Sequence, residues 1–128
     1  TYGPARFIRS MMLHGQVTLF GDGSELRDYV FYRDVVRITV EFALGDRVGT
    51  FNVASGQSHS FQQIVACVAQ LTGRDVRIEY VERDRPKVDQ GVSPARLLSA
   101  LPGFRFTDLE QGLAETSRYF ETNLLQKT

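Results

Sequence analysis

Several things are scarce in this chain, and each scarcity closes off a class of function. A single cysteine, Cys67, in 128 residues leaves no intrachain disulfide and no cysteine-rich metal site. The two histidines, His14 and His59, lie far apart, and no His or Cys grouping has metal-ligand spacing. No serine stands in a nucleophile elbow. No Gly-x-Gly-x-x-Gly follows a strand pattern and no Gly-x-x-x-x-Gly-Lys occurs, so no dinucleotide or triphosphate cradle can be placed. An excess of charge is also lacking. Fifteen basic residues balance fifteen acidic ones, leaving no field for nucleic acid or an anionic membrane. No apolar run approaches spanning length and no signal peptide opens the chain, which predicts a cytoplasmic protein. The residues alone predict no catalytic centre, no metal site and no cofactor held by this chain.

What remains is ordinary globular material. Apolar residues make up 42% and charged residues 23%, which argues against disorder and fits one domain. We place it at 1–123, with a frayed tail over 124–128. The cations are nearly all arginine, the better fork for phosphate or carboxylate. Thr1-Tyr2-Gly3-Pro4 is neither an initiator sequence nor a tag, and it reads as a turn inside a larger protein.

The chain is organised around Arg27-Asp28-Tyr29-Val30-Phe31-Tyr32-Arg33-Asp34-Val35-Val36. Its β-branched and aromatic residues predict a strand over 26–32. Asp34 then precedes an apolar run of helical length, where an N-cap belongs. In front lies Phe20-Gly21-Asp22-Gly23-Ser24, a turn of residues that tolerate positive φ. Two glycines and Arg27 this close can hold an anion, with backbone amides on one side and a guanidinium on the other.

Around this stretch the pattern predicts a helix from Pro4 to His14 with Phe7, Ile8, Met11 and Met12 inward, ended by Gly15. A short strand over 17–20 follows. After the helix from Asp34 to Gly45 come a strand over 49–54 and a loop at 55–57. Ser60-Phe61-Gln62-Gln63 is a capping box, with His59 solvated beside it. It opens a helix that buries Cys67 and closes at Gly73. Residues 75–81 alternate as a half-buried strand. Residues 82–91 are charged and broken by Pro86 and Gly91, a long loop of the kind that carries function. Ser93-Pro94 caps a short helix, and Thr107-Asp108-Leu109-Glu110 is a second capping box. The order is α-β-β-α-β-α-β-α-α: an α/β or α+β-like layer of short strands with covering helices, not a complete doubly wound sheet.

These segments, in this order, resemble the C-terminal part of the extended short-chain dehydrogenase/reductase family, the NAD-dependent nucleotide-sugar epimerases and dehydratases. The resemblance rests on Tyr2-Gly3-Pro4, Phe20-Gly21-Asp22-Gly23, Arg27-Asp28-Tyr29-Val30-Phe31 with Asp34-Val35-Val36, Phe51-Asn52-Val53-Ala54-Ser55-Gly56, Arg85-Pro86, and Leu109-Glu110-Gln111-Gly112-Leu113. It implies the C-terminal substrate lobe of a Rossmann-type enzyme whose N-terminal lobe, with its NAD or NADP loop and Tyr-x-x-x-Lys pair, would lie before Thr1. Tyr2 is not that tyrosine, because residue 6 is Arg. The implied ligand is a UDP-, dTDP- or GDP-sugar. Thr18 and Phe20 would lie along its base, Arg27 and Arg85 would hold the diphosphate, Asn52 would line the pocket, and Asp89 would reach the ribose. Arg33, Ala54 and Lys87 depart from the family pattern, and Lys87 falls close to Asp89.

Each residue also has a plainer reading. Arg27 can simply pair with a surface carboxylate, Asp34 can serve as a cap, and Asn52 can satisfy loop backbone. Two alternatives stand beside the substrate lobe: a free-standing nucleotide-binding module, and a structural or oligomerisation domain whose arginines make only salt bridges. A surface that self-associates, where a missing lobe would pack, fits both the lobe and the structural domain.

Overall fold

A computed structural model describes residues 3–124. Helix α1 (Pro4–His14) starts with proline in its first turn and ends at Gly15, whose φ of 64° is left-handed. Phe7, Ile8, Met11 and Met12 are its buried residues, as the helical spacing predicts. Strand β1 (Gln16–Phe20) pairs in parallel with β4 (Arg77–Val81), in register from Gln16 opposite Arg77 to Phe20 opposite Val81. Strand β2 (Leu26–Asp28) pairs antiparallel with β3 (Ser58–Ser60). Helices α2 (Tyr32–Leu44), α3 (Phe61–Thr72), α4 (Ala95–Ala100) and α5 (Leu109–Leu124) complete the order. The helices and the first, second and fourth strands come in the predicted order, but the third strand is a different segment from the one expected, and the molecule is a small α/β domain with one parallel strand pair.

Two clusters hold it together. In the larger, Ile8, Met11, Val17, Leu19, Ile64, Val68 and Leu113 pack where α1, α3 and α5 meet over β1. In the smaller, Ile38, Leu97 and Leu101 gather Phe42, Phe51 and Phe104. The capping box of α3 forms as expected: Gln63 N–H donates to Ser60 Oγ at 3.1 Å, and Ser60 N–H donates to Gln63 Oε1 at 2.8 Å.

Several expectations are corrected. The strand predicted over 26–32 stops at Asp28. Its partner can supply only three residues, because Ser60 already caps α3 and the Asp28 carboxylate holds the chain before Ser58. No strand forms over 49–54. The segment finds no pairing partner among the described residues, and Phe51 instead packs on Phe42 with ring centroids 4.7 Å apart. Strand β4 is exposed at all five positions, since a two-stranded sheet covered on β1 leaves the second strand at the edge. His59 lies within β3 and is half-buried, not solvated. Cys67 is half-buried, and burial, assisted by Glu110, pushes its thiol pKa up.

Two caps also move. Phe31 is the N-cap residue of α2, so Asp34 falls inside the first turn. It is 1% exposed and reaches across to the chain before α5. There Thr107 N–H and Oγ–H donate to it at 2.7 and 3.0 Å, and Arg37 adds a bond at 3.2 Å. Thr107 thus turns its hydroxyl toward Asp34. At α4 the cap position belongs to Pro94, with Ser93 Oγ accepting from Ala95 N–H at 3.3 Å. Of the tail expected to fray, all but Leu124 lies outside the described residues, as does Tyr2.

Candidate functional site

The parallel strands β1 and β4 end side by side at Phe20 and Val81. The carboxyl ends of parallel strands are where α/β folds place ligands. A cleft of about 740 Å³ opens there, with Phe20, Glu25, Arg27, Phe61, Arg83 and Arg85 in its walls. Three guanidiniums and two carboxylates, those of Glu25 and Asp84, border it.

The three arginines differ in how far the fold commits them. Arg27 is 24% exposed. Its Nη1 donates to Leu26 O at 2.8 Å and to Val88 O, and its Nη2 donates to Glu25. Its guanidinium carbon also stands 5.9 Å from the centre of the Phe61 ring. Arg83 is 17% exposed and donates to the other oxygen of Glu25 at 2.8 Å. Arg85 is 88% exposed, with only a 4.0 Å approach to Asp84. Arg27 does pair with a carboxylate, but Glu25 is only 14% exposed and not on the surface as the plainer reading had it, and the same arginine borders the cleft.

The remaining expected residues divide. Phe20 lines the cleft. Thr18 sits on β1 with its hydroxyl 3.4 Å from Glu79, and it is not among the lining residues. Asp89 accepts from Leu26 N–H at 2.9 Å and lies 3.2 Å from Lys87. That backbone bond, then Lys87, holds its carboxyl below the usual carboxylate range. Together with Gln90 N–H on Leu26 O at 3.0 Å, it pins the long loop to β2. Asn52 is exposed on the extended segment after α2 and does not line the cleft. The loop that follows it is tied to β2, since Ser55 N–H, Ser55 Oγ–H and Gly56 N–H all donate to Asp28.

The glycine turn is not the anion cradle the sequence allows. Gly21 N–H donates to Val81 O at 2.8 Å, Gly23 N–H to Phe20 O at 3.3 Å, and Ser24 N–H to Asp22 at 3.0 Å. The Arg83 side chain lies across Gly21 so closely that a Cβ there would sit 2.3 Å from Nε. The turn leads into β2 and not into a helix, so these residues do not fit a dinucleotide cofactor.

Sequence reasoning missed Glu25 and Arg83. Glu25 carried a partial signal, since it stands two before Arg27 in extended chain, where alternate residues share a face; Arg83 carried none, because the chain bends at Asp84 and Arg85. Burial also pushes the Tyr29 phenol up to about 12, against the opposing pull of Arg27. Arg33, which departs from the family pattern, reaches Glu115 on α5 at 2.6 Å and takes no part in the cleft. Among the described residues no group of three or more His, Cys, Asp or Glu could hold a metal ion, and no helix is long and apolar enough to cross a membrane.

Residues 4–54 match the NAD dependent epimerase/dehydratase family. An ADP-L-glycero-D-manno-heptose-6-epimerase from Nitratidesulfovibrio vulgaris is 28% identical over 109 residues, which are 79% of this chain and 33% of that protein. The structure of the UDP-glucose 4-epimerase of Thermotoga maritima with UDP-glucose superposes with a TM-score of 0.82 at 28% identity, covering 95% of this chain and 40% of that one. The UDP-glucose 4-epimerase of Thermus thermophilus, in complex with NAD, gives 0.78 at 26%, covering 94% and 40%. The chain spans about a third of the length of the curated relatives it matches.

Proposed function

The chain is related to the NAD-dependent epimerase/dehydratase family over part of its members' length, and from that premise we propose that it forms the substrate lobe of an enzyme acting on a nucleotide-diphosphate sugar. The observation that carries this reading is the convergence of Phe20, Arg27 and Arg85 on one cleft at the carboxyl ends of β1 and β4. Arg85 is the principal diphosphate contact, because its guanidinium is the least committed of the three. Arg27 is a second contact with fewer free donors, and Phe20 offers an apolar wall to the base or ribose. Asp89 supports the site by holding the loop that carries Arg85.

NAD or NADP, held elsewhere in the whole protein, would supply hydride transfer at a sugar carbon. The residues here bind and orient: they anchor the diphosphate and fix where the sugar lies. Charge-assisted contacts contribute roughly 1.5–3 kcal/mol each, and association costs at least about 4 kcal/mol. Two such contacts therefore leave the chain alone with millimolar or weaker affinity, against roughly −8 kcal/mol for a micromolar complex.

An NMR titration of the 128-residue chain with UDP and with dTDP tests this. Saturable shifts confined to the amides of 18–28 and 83–89, and absent in Arg85→Ala, are expected. Micromolar binding by this chain alone would favour the free-standing module. No shift even at roughly 100 mM nucleotide would favour the structural domain.

A further inference from the structure

Glu25 is the feature of the cleft that the substrate reading does not use. Its side chain is 14% exposed, and its two oxygens serve two different cations: Oε1 takes Arg27, and Oε2 takes Arg83. Two guanidiniums brought this close repel each other, and a charge held this far from water must be paired. Glu25 answers both requirements at once. Arg83 is otherwise poorly satisfied, because its Nη2 is buried without a hydrogen-bond partner among the described residues. Beside the same cleft Asp84 offsets part of the charge of Arg85. Three cations and two carboxylates leave an excess of one positive charge.

We propose that Glu25 is an internal anion of the binding cleft, a positioning residue that holds Arg27 and Arg83 together and sets how strongly negative a ligand must be to bind. This rests on the diphosphate reading of the cleft. A ligand approaching Arg27 meets a guanidinium already shared with a carboxylate, so a singly charged group gains little there. A ligand with several negative charges, such as a diphosphate, gains more from Arg85 and from the unshared donors of Arg27 than it loses to repulsion from Glu25. Removing the negative charge of Glu25 while keeping its shape should strengthen every anion, the more highly charged by the larger factor, and should bring weakly charged anions within measurable range.

The test compares pyrophosphate and inorganic phosphate binding to the 128-residue chain and to Glu25→Gln, at low and high salt, followed by amide shifts. The variant is expected to bind pyrophosphate about tenfold more tightly at low salt, the effect of one partly buried charge at close range. The gap should narrow as salt rises, a dependence that a purely structural role would not produce. Phosphate binding should become measurable first in the variant. Equal or weaker binding by a folded variant, with the parent chain still binding, overturns the proposal and leaves the diphosphate reading standing. Absence of binding by both chains overturns the two together. Glu25→Ala serves as the second variant, with the same expected direction. Loss of a folded spectrum in both variants also overturns the proposal, because Glu25 is then a strut whose removal the fold does not survive.

Discussion

Arg27 and Arg85 carry the same charge in different circumstances, and substitution should separate them. Arg85 extends into solvent with its side chain 88% exposed. Arg85→Ala should abolish nucleotide shifts while leaving thermal stability within about 0.5 kcal/mol of the parent. Arg27, in β2, holds the Val88 carbonyl of the long loop and its own neighbour Leu26 O, as well as bordering the cleft. Arg27→Ala should therefore weaken binding and also lower stability by about 1–2 kcal/mol, measured by urea unfolding. Asp34 belongs to stability alone. Its buried carboxylate takes both the N–H and the hydroxyl of Thr107, so Asp34→Ala leaves two donors without an acceptor. A loss of roughly 2–4 kcal/mol is expected, with nucleotide shifts retained in the folded fraction.

Among the elements, the loop over 82–91 has no regular structure and is held to β2 by a few polar contacts. The Asp89 carboxylate accepting from Leu26 N–H is the one that titrates. That bond holds the folded pKa of Asp89 below its ordinary value. The ionised form is the one that grips, so the tether is fully present above the ordinary carboxylate pKa. It is lost as pH falls through the lower, folded value. The Leu26 amide resonance should move over that acidic window, and Asp89→Asn should remove the dependence. At α3 the reciprocal cap makes a different prediction: Ser60→Ala should cost about 1 kcal/mol. Gly21 adds a third. A side chain there would meet Arg83 while forcing a φ of 60° on a residue that has a Cβ. Gly21→Ala should therefore displace Arg83 from Glu25 and shift the same amides that respond to nucleotide.

For the molecule as a whole, the informative surface is the outer face of α2. Val36, Val40 and Leu44 are 55%, 48% and 86% exposed, more apolar area on one helix than a lone surface residue explains. On the proposed reading this face packs against the rest of a longer protein. The isolated chain should self-associate in sedimentation experiments, and Val36→Glu with Val40→Glu should return it to monomer without affecting nucleotide shifts. Loss of those shifts in the double variant would tie the face to the cleft instead.

Local pattern determined what local interactions control. The bounds of α1 follow from Pro4, from apolar residues at helical spacing and from Gly15. The start of α3 follows from Ser60 and Gln63. Each is settled within a turn or two of chain, and the succession of helices follows from such signals. Arg27 and Arg85 were legible because their residue type, in a turn and a charged loop, already states their chemistry. Pairing decided the rest. Tyr29-Val30-Phe31 and residues 49–54 have the composition of strands, but a strand exists only where a partner offers its backbone. The partner of β2 runs out at Ser58, and residues 49–54 find none among those described. Asp34 has the look of a cap until Thr107, far along the chain, arrives as its donor. Glu25 looks like any surface acid until β4 and the loop after it bring Arg83 beside Arg27. Those outcomes depend on which distant groups meet, and only the tertiary structure sets that.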